Sequence, residues 1–310
     1  GLYPGIGLLM PVRSREESSM NVLKIEMSKM FKKLTLKLVI LATLLIVGAQ
    51  TYSFYVTQRK SVNNTYDDVI SGRYEHTDMS FFENSFIEGW IGCESYTPYN
   101  VMLYLLMPLL AAIPFAMSQF KEWKSGYASQ MITRCGRRKY MNVKFVTVFV
   151  SGGLVIAVPL LVSMIVSMCY MPIIEIDPLA LQSAVPTSYM FGYIYTYHPV
   201  VYVLLYTFID FIYGGILACM AMLVSRFVKN WFTAMTFPAV LVYFLDYGIG
   251  RLSEADTWLR TYNFAYFINP NQGGENCLRL VPFLVITAGL LIGEYLLYAA
   301  LNIRREAIER

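Results

Sequence analysis

Long apolar runs alternate with polar segments along the whole chain. A helix needs about 20 mostly apolar residues to cross the hydrocarbon core of a bilayer. A soluble core of this size would not distribute such runs over separate segments. The pattern therefore predicts an all-α membrane protein with six transmembrane helices. The runs lie near 34–54, 101–118, 143–171, 200–224, 231–249 and 278–301.

The residues before the first run have a helical periodicity of their own. A helix with one apolar face lies along the membrane surface, so an N-terminal interfacial helix is predicted over 20–33. Met20 opens a plausible start, and residues 1–19 are interpreted as a leader that is non-native or disordered. The apolar positions of the helix are Leu23, Met27, Met30 and Leu34.

Charge is segregated, although 56% of the residues are hydrophobic and the formal net charge is only +4. Segments on one side of the predicted spans hold 19 of the 25 Lys and Arg residues, and the other connections hold 12 of the 21 acids. Basic loops stay in the cytoplasm, so both termini are predicted to be cytoplasmic. The basic segments are 1–37, 119–144, 225–230 and the tail 302–310.

Two connections on the opposite side are longer than ordinary loops. Residues 52–98 are polar, acidic and too long for a simple connector, so they are predicted to form an extracellular cap. Residues 250–277 are predicted to form an extracellular loop. Cys93 and Cys277 would both face an oxidising exterior, so the predicted topology allows one disulfide between them but does not require it.

The basic segment at 119–142 shows amphipathic spacing. A helix begun at Phe120 would place aromatic and apolar side chains on one face and polar side chains on the other. Such a helix would lie on the inner leaflet and present its polar face to a cytosolic partner, although charge alone would also make the segment a topology signal. The apolar face holds Phe120, Trp123, Tyr127 and Met131, and the polar face holds Glu122, Ser125, Gly126, Ser129 and Thr133.

Two stretches resemble a known family. The pattern of Glu122, Gly126, Arg137, Lys139-Tyr140 and Lys144 is similar to the first cytoplasmic loop of the ABC-2 type transporter permeases. The opening stretch LKIEMSKMFKK resembles the first helix of that family, with Glu26 and Lys29 at the usual places. In topology the likeness covers nearly the whole chain, but in residues only these two stretches. Cys135-Gly136 stands where the family often has proline and serine, and the 52–98 cap is larger than in the smallest members.

The resemblance implies a permease subunit of an ATP-driven exporter in the bacterial plasma membrane. It implies a partner ABC ATPase in the cytosol, a second permease in a homodimer or heterodimer, and contact with membrane lipids but not with nucleic acid. ATP and Mg would be bound by the ATPase, because this chain has no GxxxxGK[ST] loop. The ATPase would contact Glu122, Trp123, Ser125, Gly126, Ser129, Gln130, Thr133, Arg134 and Arg137.

The exported substrate would be amphipathic: a peptide antibiotic, a drug or a lipid. The acidic cap favours cationic peptides. The family also often has a partly re-entrant helix before the final span, here within 253–267. The alternative is a sensor or accessory membrane protein that uses the same loop to bind a cytosolic partner without transport.

Four further residues are candidates for a role. Asp210 and Glu294 lie inside apolar runs, where a carboxylate either lines a translocation path or makes a structural hydrogen bond, for example to a tyrosine. Arg226 and Lys229 form a second candidate contact for the ATPase, or a topology signal only. Neither HExxH nor GxSxG occurs and the two histidines have no neighbouring ligands, so no catalytic or metal site is predicted.

Overall fold

A computed structural model describes residues 12–71, 85–93, 98–116, 118–176, 185, 190–228, 230–252, 262, 267–269 and 280–308. All regular elements in these ranges are helices, which confirms the all-α class. They are α1 (Val12–Lys32), α2 (Leu34–Ile70), α3 (Phe86–Gly89), α4 (Tyr99–Ala112), α5 (Ser118–Lys124), α6 (Tyr127–Cys135), α7 (Arg137–Tyr170), α8 (Gly192–Tyr197), α9 (Pro199–Val224), α10 (Trp231–Leu252) and α11 (Leu280–Ile308).

Five helices are long and apolar enough to cross a membrane: α2 over Leu34–Lys60, α7, α9, α10 and α11. The run at 101–118 behaves differently, because α4 has only 14 residues and is about 21 Å long at 1.5 Å per residue. That length is short of the roughly 30 Å hydrocarbon core. Turns follow α4 over 113–116 before α5 begins, and Pro114 in these turns cannot donate a helical hydrogen bond.

The first two helices differ from their predicted bounds. All but the last residue of the interfacial helix predicted over 20–33 belongs to α1, which begins at Val12, so the later part of the predicted leader is helical. α1 ends at Lys32, one residue before the predicted end of the interfacial helix, and a break at Lys33 separates it from α2. However, α2 continues past the predicted end of the span to Ile70, so the first part of the predicted cap extends this helix.

The centre of the bundle is the pair α7 and α9, which bury most of their surface while α2, α10 and α11 lie at the periphery. The two helices cross where Gly152 and Gly153 meet Gly214 and Gly215. A Cβ atom built on Gly152 would lie 2.3 Å from the carbonyl oxygen of Gly214, so any side chain there would collide with backbone. Small residues let membrane helices approach closely, and the glycines at 152–153 and 214–215 serve that packing role here.

The last described part of the predicted cap is inserted into the bundle. Phe86, Ile87, Trp90 and Ile91 are fully buried. The indole Nε1 of Trp90 donates to the carbonyl oxygen of Leu160 at 3.1 Å, about 15 Å along α7 from its end at Tyr170. Residues 85–93 of the predicted cap are therefore packed among the helices, and the extracellular position of 52–98 stays a prediction; residues 72–84 and 94–97 lie outside the described ranges.

This inserted segment also explains why α4 is short. Asn100, in the first turn of α4, is buried and donates to the carbonyl oxygens of Ile91 and Gly92, the latter at 3.0 Å. The first turn of α4 is therefore fixed against the inserted segment. Asn269 donates to the side-chain oxygen of Asn100 at 2.9 Å, so 267–269, within the predicted loop 250–277, reaches the same buried site. Most of 253–267, where a re-entrant helix was expected, lies outside the described residues.

Candidate functional site

The segment predicted as one amphipathic helix is broken in two. α5 ends at Lys124 and α6 begins at Tyr127, with turns at Ser125 and Gly126 between them. Gly126 has a φ of 74°, in the left-handed region that glycine adopts without strain. The prediction of a continuous helix through Gly126 is wrong, because a left-handed residue stops the helical hydrogen-bond pattern.

Glu122 points into the protein. Its Oε1 lies 2.8 Å from Nζ of Lys144, and the hydroxyl of Tyr140 donates to its other oxygen. The same Lys144 ammonium donates to Oε2 of Glu26 at 3.0 Å. Only 16% of the Glu122 side chain is exposed, so its predicted position on a free polar face is wrong: the attraction of buried Lys144 turns it inward.

Lys29 completes a charge cluster that we define as Glu26, Lys29, Glu122 and Lys144. Nζ of Lys29 lies 2.8 Å from Oε1 of Glu26 and 3.9 Å from Oε1 of Glu122. The two negative charges of the carboxylates balance the two positive charges of the ammonium groups, and buried charges need such pairing. The charge cluster joins α1, α5 and α7, which are far apart in sequence.

The pKa values outside the spans reflect this pairing. Burial would raise the pKa of Glu26, but the charges of Lys144 and Lys29 and their hydrogen bonds outweigh it, so the pKa lies below its ordinary value. Burial would likewise lower the pKa of Lys29, but hydrogen bonds to Glu26 and Tyr127 and the nearby carboxylates raise it above the ordinary value. Both groups are therefore charged over a wider pH range than exposed ones.

Aromatic rings cover the positive charges. Nζ of Lys29 lies 3.7 Å from the ring centroid of Tyr127, and Nζ of Lys144 lies 4.5 Å from that of Phe115. The guanidinium carbon of Arg137 lies 6.0 Å from the centroid of Trp123. Cation–π contacts of this kind stabilise the ammonium and guanidinium groups where water is excluded.

The remaining predicted contact residues divide into an exposed and a partly buried set. Trp123, Gly126 and Arg137 are partly buried. Ser125 in the turn is exposed. The surface that α6 presents to solvent, here named the α6 patch, consists of Ser129, Gln130, Thr133 and Arg134.

The second candidate contact is only partly described. Arg226 follows α9, and its guanidinium carbon lies 4.6 Å from the ring centroid of Tyr298 in α11. One of its terminal guanidinium nitrogens lies 3.9 Å from the sulfur of Met141 in α7. It is therefore at the end of the bundle where α7 begins, packed between helices and partly buried. Lys229 lies outside the described residues.

The two intramembrane carboxylates occupy separate sites. Asp210 in α9 is fully buried, and its Oδ2 accepts a hydrogen bond from the hydroxyl of Tyr104 at 3.1 Å. The predicted structural hydrogen bond to a tyrosine is therefore present. Glu294 in α11 is 6% exposed, and neither of its oxygens has a hydrogen-bond partner among the described residues.

The pairing of Glu26 with Lys144 was missed, although the sequence carried a signal for it. Glu26 lies between Leu23, Met27 and Met30 on the apolar face of α1, and Lys144 lies in an apolar run. A charge on a face destined for burial needs an opposite charge beside it. Glu26 and Lys144 are therefore the two residues whose sequence context predicts a buried ion pair.

Cysteines and metal ligands add no further site. Cys93 is buried and Cys277 lies outside the described residues, so the disulfide between them stays a prediction. In the described ranges, no three His, Cys, Asp or Glu side chains come together in a group that could hold a metal ion.

No protein-family model, curated protein or solved structure matches this chain. The ABC-2 family thus remains an expectation based on two motifs, and function has to be argued from the charge cluster and the α6 patch.

Proposed function

We propose that this chain is the membrane subunit of an ATP-driven ABC-2 type exporter in a bacterial plasma membrane. A separate cytosolic ATPase binds the α6 patch, and that subunit holds ATP and Mg. The observation that supports this most is the combination of an exposed polar helix with a buried charge cluster. α6 contacts this cluster through Tyr127, whose ring centroid lies 3.7 Å from Nζ of Lys29. Such an attachment suits the transfer of force, whereas a topology signal needs no buried partners.

The path of that force follows the packing. Movement of α5 and α6 acts on Lys144 through Glu122, and Lys144 belongs to α7. Since α7 and α9 touch backbone to backbone at Gly152 and Gly214, α7 cannot shift without moving α9.

The rest of the proposal concerns topology and assembly. α4 with the inserted segment 85–93 serves as the sixth span, and both termini are cytoplasmic. A second permease, identical or similar, completes the transporter. The substrate is an amphipathic peptide antibiotic, drug or lipid, and Asp210 and Glu294 are the candidates for its path.

Purification of the tagged chain from its native membrane tests the proposal. We expect an ABC ATPase to copurify and the complex to hydrolyse ATP. Arg134→Glu in the α6 patch should reduce both copurification and ATP hydrolysis while the chain still inserts. The matched control is Arg59→Glu, which reverses the charge of an exposed arginine at the C-terminal end of the candidate span Leu34–Lys60 in α2.

Two outcomes would contradict the proposal. If Arg134→Glu and Arg59→Glu both leave ATPase binding intact, the α6 patch is not the interface. A stable cytosolic partner that never hydrolyses ATP would favour the sensor or accessory protein instead.

A further inference from the structure

The elbow between α1 and α2 holds a lysine in an unusual position. Nζ of Lys33 donates to the carbonyl oxygen of Pro114 at 2.8 Å, and the hydroxyl of Thr35 donates to the same oxygen at 3.2 Å. The ammonium lies 4.9 Å from the ring centroid of Phe115. Lys33 is therefore fixed against the turn after α4 and is only partly exposed.

Positive charge at this elbow is not balanced by the protein. α5 begins on the same turn, where the amide nitrogen of Ser118 donates to the carbonyl oxygen of Phe115 at 2.9 Å, and Lys121 follows three residues later in that helix. Burial, together with the positive charges of Lys121 and Lys144, lowers the pKa of Lys33 to about 8. The nearby carboxylates, Glu26 and Glu122, are already bound by Lys29 and Lys144. Within the described part of the chain, Lys33 and Lys121 form no ion pair of their own.

An apolar stripe begins directly beside this charge. One face of α2 carries leucines at helical spacing, all of them more than half exposed, and this part of α2 is a candidate membrane span. A cationic elbow beside an exposed apolar stripe complements the two parts of an anionic lipid: the elbow attracts the phosphate, and the stripe contacts the acyl chain. The leucines are Leu34, Leu38, Leu41 and Leu45.

We propose that Lys33 and Lys121 bind the phosphate of an anionic phospholipid whose acyl chain lies along the leucine stripe of α2. Basic pockets between transmembrane helices are suited to lipid headgroups, and the anion supplies the charge that the protein lacks there. The stripe favours a lipid over free phosphate. This site is independent of the ATPase and would exist in an accessory protein as well.

Lipid binding by the purified full chain tests the site. Phosphatidylglycerol, added to phosphatidylcholine nanodiscs, should bind in native mass spectrometry and raise the thermal unfolding midpoint. The double variant Lys33→Gln with Lys121→Gln should lower the apparent affinity for phosphatidylglycerol about 25-fold, since each lysine near an anionic surface contributes a factor of about five. The matched control is Lys24→Gln with Arg138→Gln, which removes the same charge from two exposed positions.

A measurement on the unaltered chain guards against misfolding of the double variant. At pH 8, phosphatidylglycerol should protect Lys33 and Lys121 from amine acylation more than it protects Lys24. Equal losses in the two double variants, or equal protection of all three lysines, would mean that net charge alone attracts the lipid and would overturn the site. Soluble glycerol phosphate that protects as well as the lipid would overturn the role of the stripe. No nucleotide is involved, so this result is separate from the proposed transport function.

Discussion

At the scale of single residues, the charge cluster is the feature that most constrains this protein. Glu26 and Lys144 are fully buried, and ions taken out of water are tolerated only when paired and hydrogen-bonded. Glu122 and Lys29 sit at the more exposed side of the same cluster. Removal of one member therefore leaves a buried charge without compensation.

We expect Lys144→Met to destabilise the protein by about 3–5 kcal/mol, the usual cost of breaking a buried ion pair. Thermal or denaturant unfolding of the detergent-solubilised protein measures the change. Lys24→Met, at an exposed position of α1, should have little effect. Equal stability of Lys144→Met and the parent protein would show that Glu26 and Glu122 are not held by Lys144.

Lys33 gives a prediction on pH. Burial and neighbouring positive charges lower its pKa to about 8 from the ordinary 10.5. Between those values the unfolded state binds more protons than the folded state, so the contribution of Lys33 to stability rises as pH increases from 8 to 10.5. Lys33→Met should therefore be most stabilising, relative to the parent, below pH 8 in lipid-free detergent. Unfolding midpoints from pH 7 to 10 measure this difference, and a difference independent of pH would contradict it.

At the scale of elements, the crossing of α7 and α9 sets how closely the central helices pack. Neither glycine pair leaves space for a Cβ atom: one on Gly152 meets Gly214 and Ala218, and one on Gly215 meets the ring of Phe149 at 2.5 Å. Backbone cannot yield as a flexible side chain can. The close contact therefore depends on glycine at these positions.

Gly152→Ala should destabilise the protein by about 1–3 kcal/mol, the cost of overpacking a core. Gly289→Ala in α11 is the matched control, since no atom lies within 4 Å of a Cβ atom built there, and we expect it to leave stability unchanged or slightly higher. The unfolding midpoint of each variant reports the result. A neutral Gly152→Ala would mean that the two helices are further apart.

At the scale of the whole molecule, the segregation of basic residues predicts which end of the bundle faces the cytoplasm. Two cysteines at opposite ends of α7 can report this. Cys135, which precedes α7, is partly exposed, and Cys169 near its end is exposed. Because the two cysteines lie near opposite ends of the candidate span α7, labelling of each thiol reports on which side of the membrane that end lies.

In variants that keep only one cysteine, a membrane-impermeant maleimide should label Cys169 in intact cells and Cys135 only after permeabilisation. Burial raises the pKa of Cys135, so labelling should be done at alkaline pH, where more thiolate is present. Labelling of Cys135 from outside intact cells would reverse the topology and remove the α6 patch from the cytosol.

Much of this architecture follows from the sequence because it depends on local pattern. Apolar run length indicated the helical membrane class and all five of the long spans. The tight packing at Gly152 also follows from local chemistry, because glycine has no side chain to keep two helices apart. Hydropathy alone could not separate α4 from a full span, because the residues that make it short belong to the inserted segment 85–93.

What the sequence determined by itself is the five long apolar helices and the segregation of basic residues, since both depend on residue type within short windows. Only the tertiary structure decided that Glu122 turns inward, that residues 85–93 enter the bundle and that Lys33 faces Pro114. These features rest on pairs such as Glu26 and Lys144, which are 118 residues apart. A polar residue looks exposed in a local pattern until a distant partner makes its burial favourable, and such partners are brought together only by the fold.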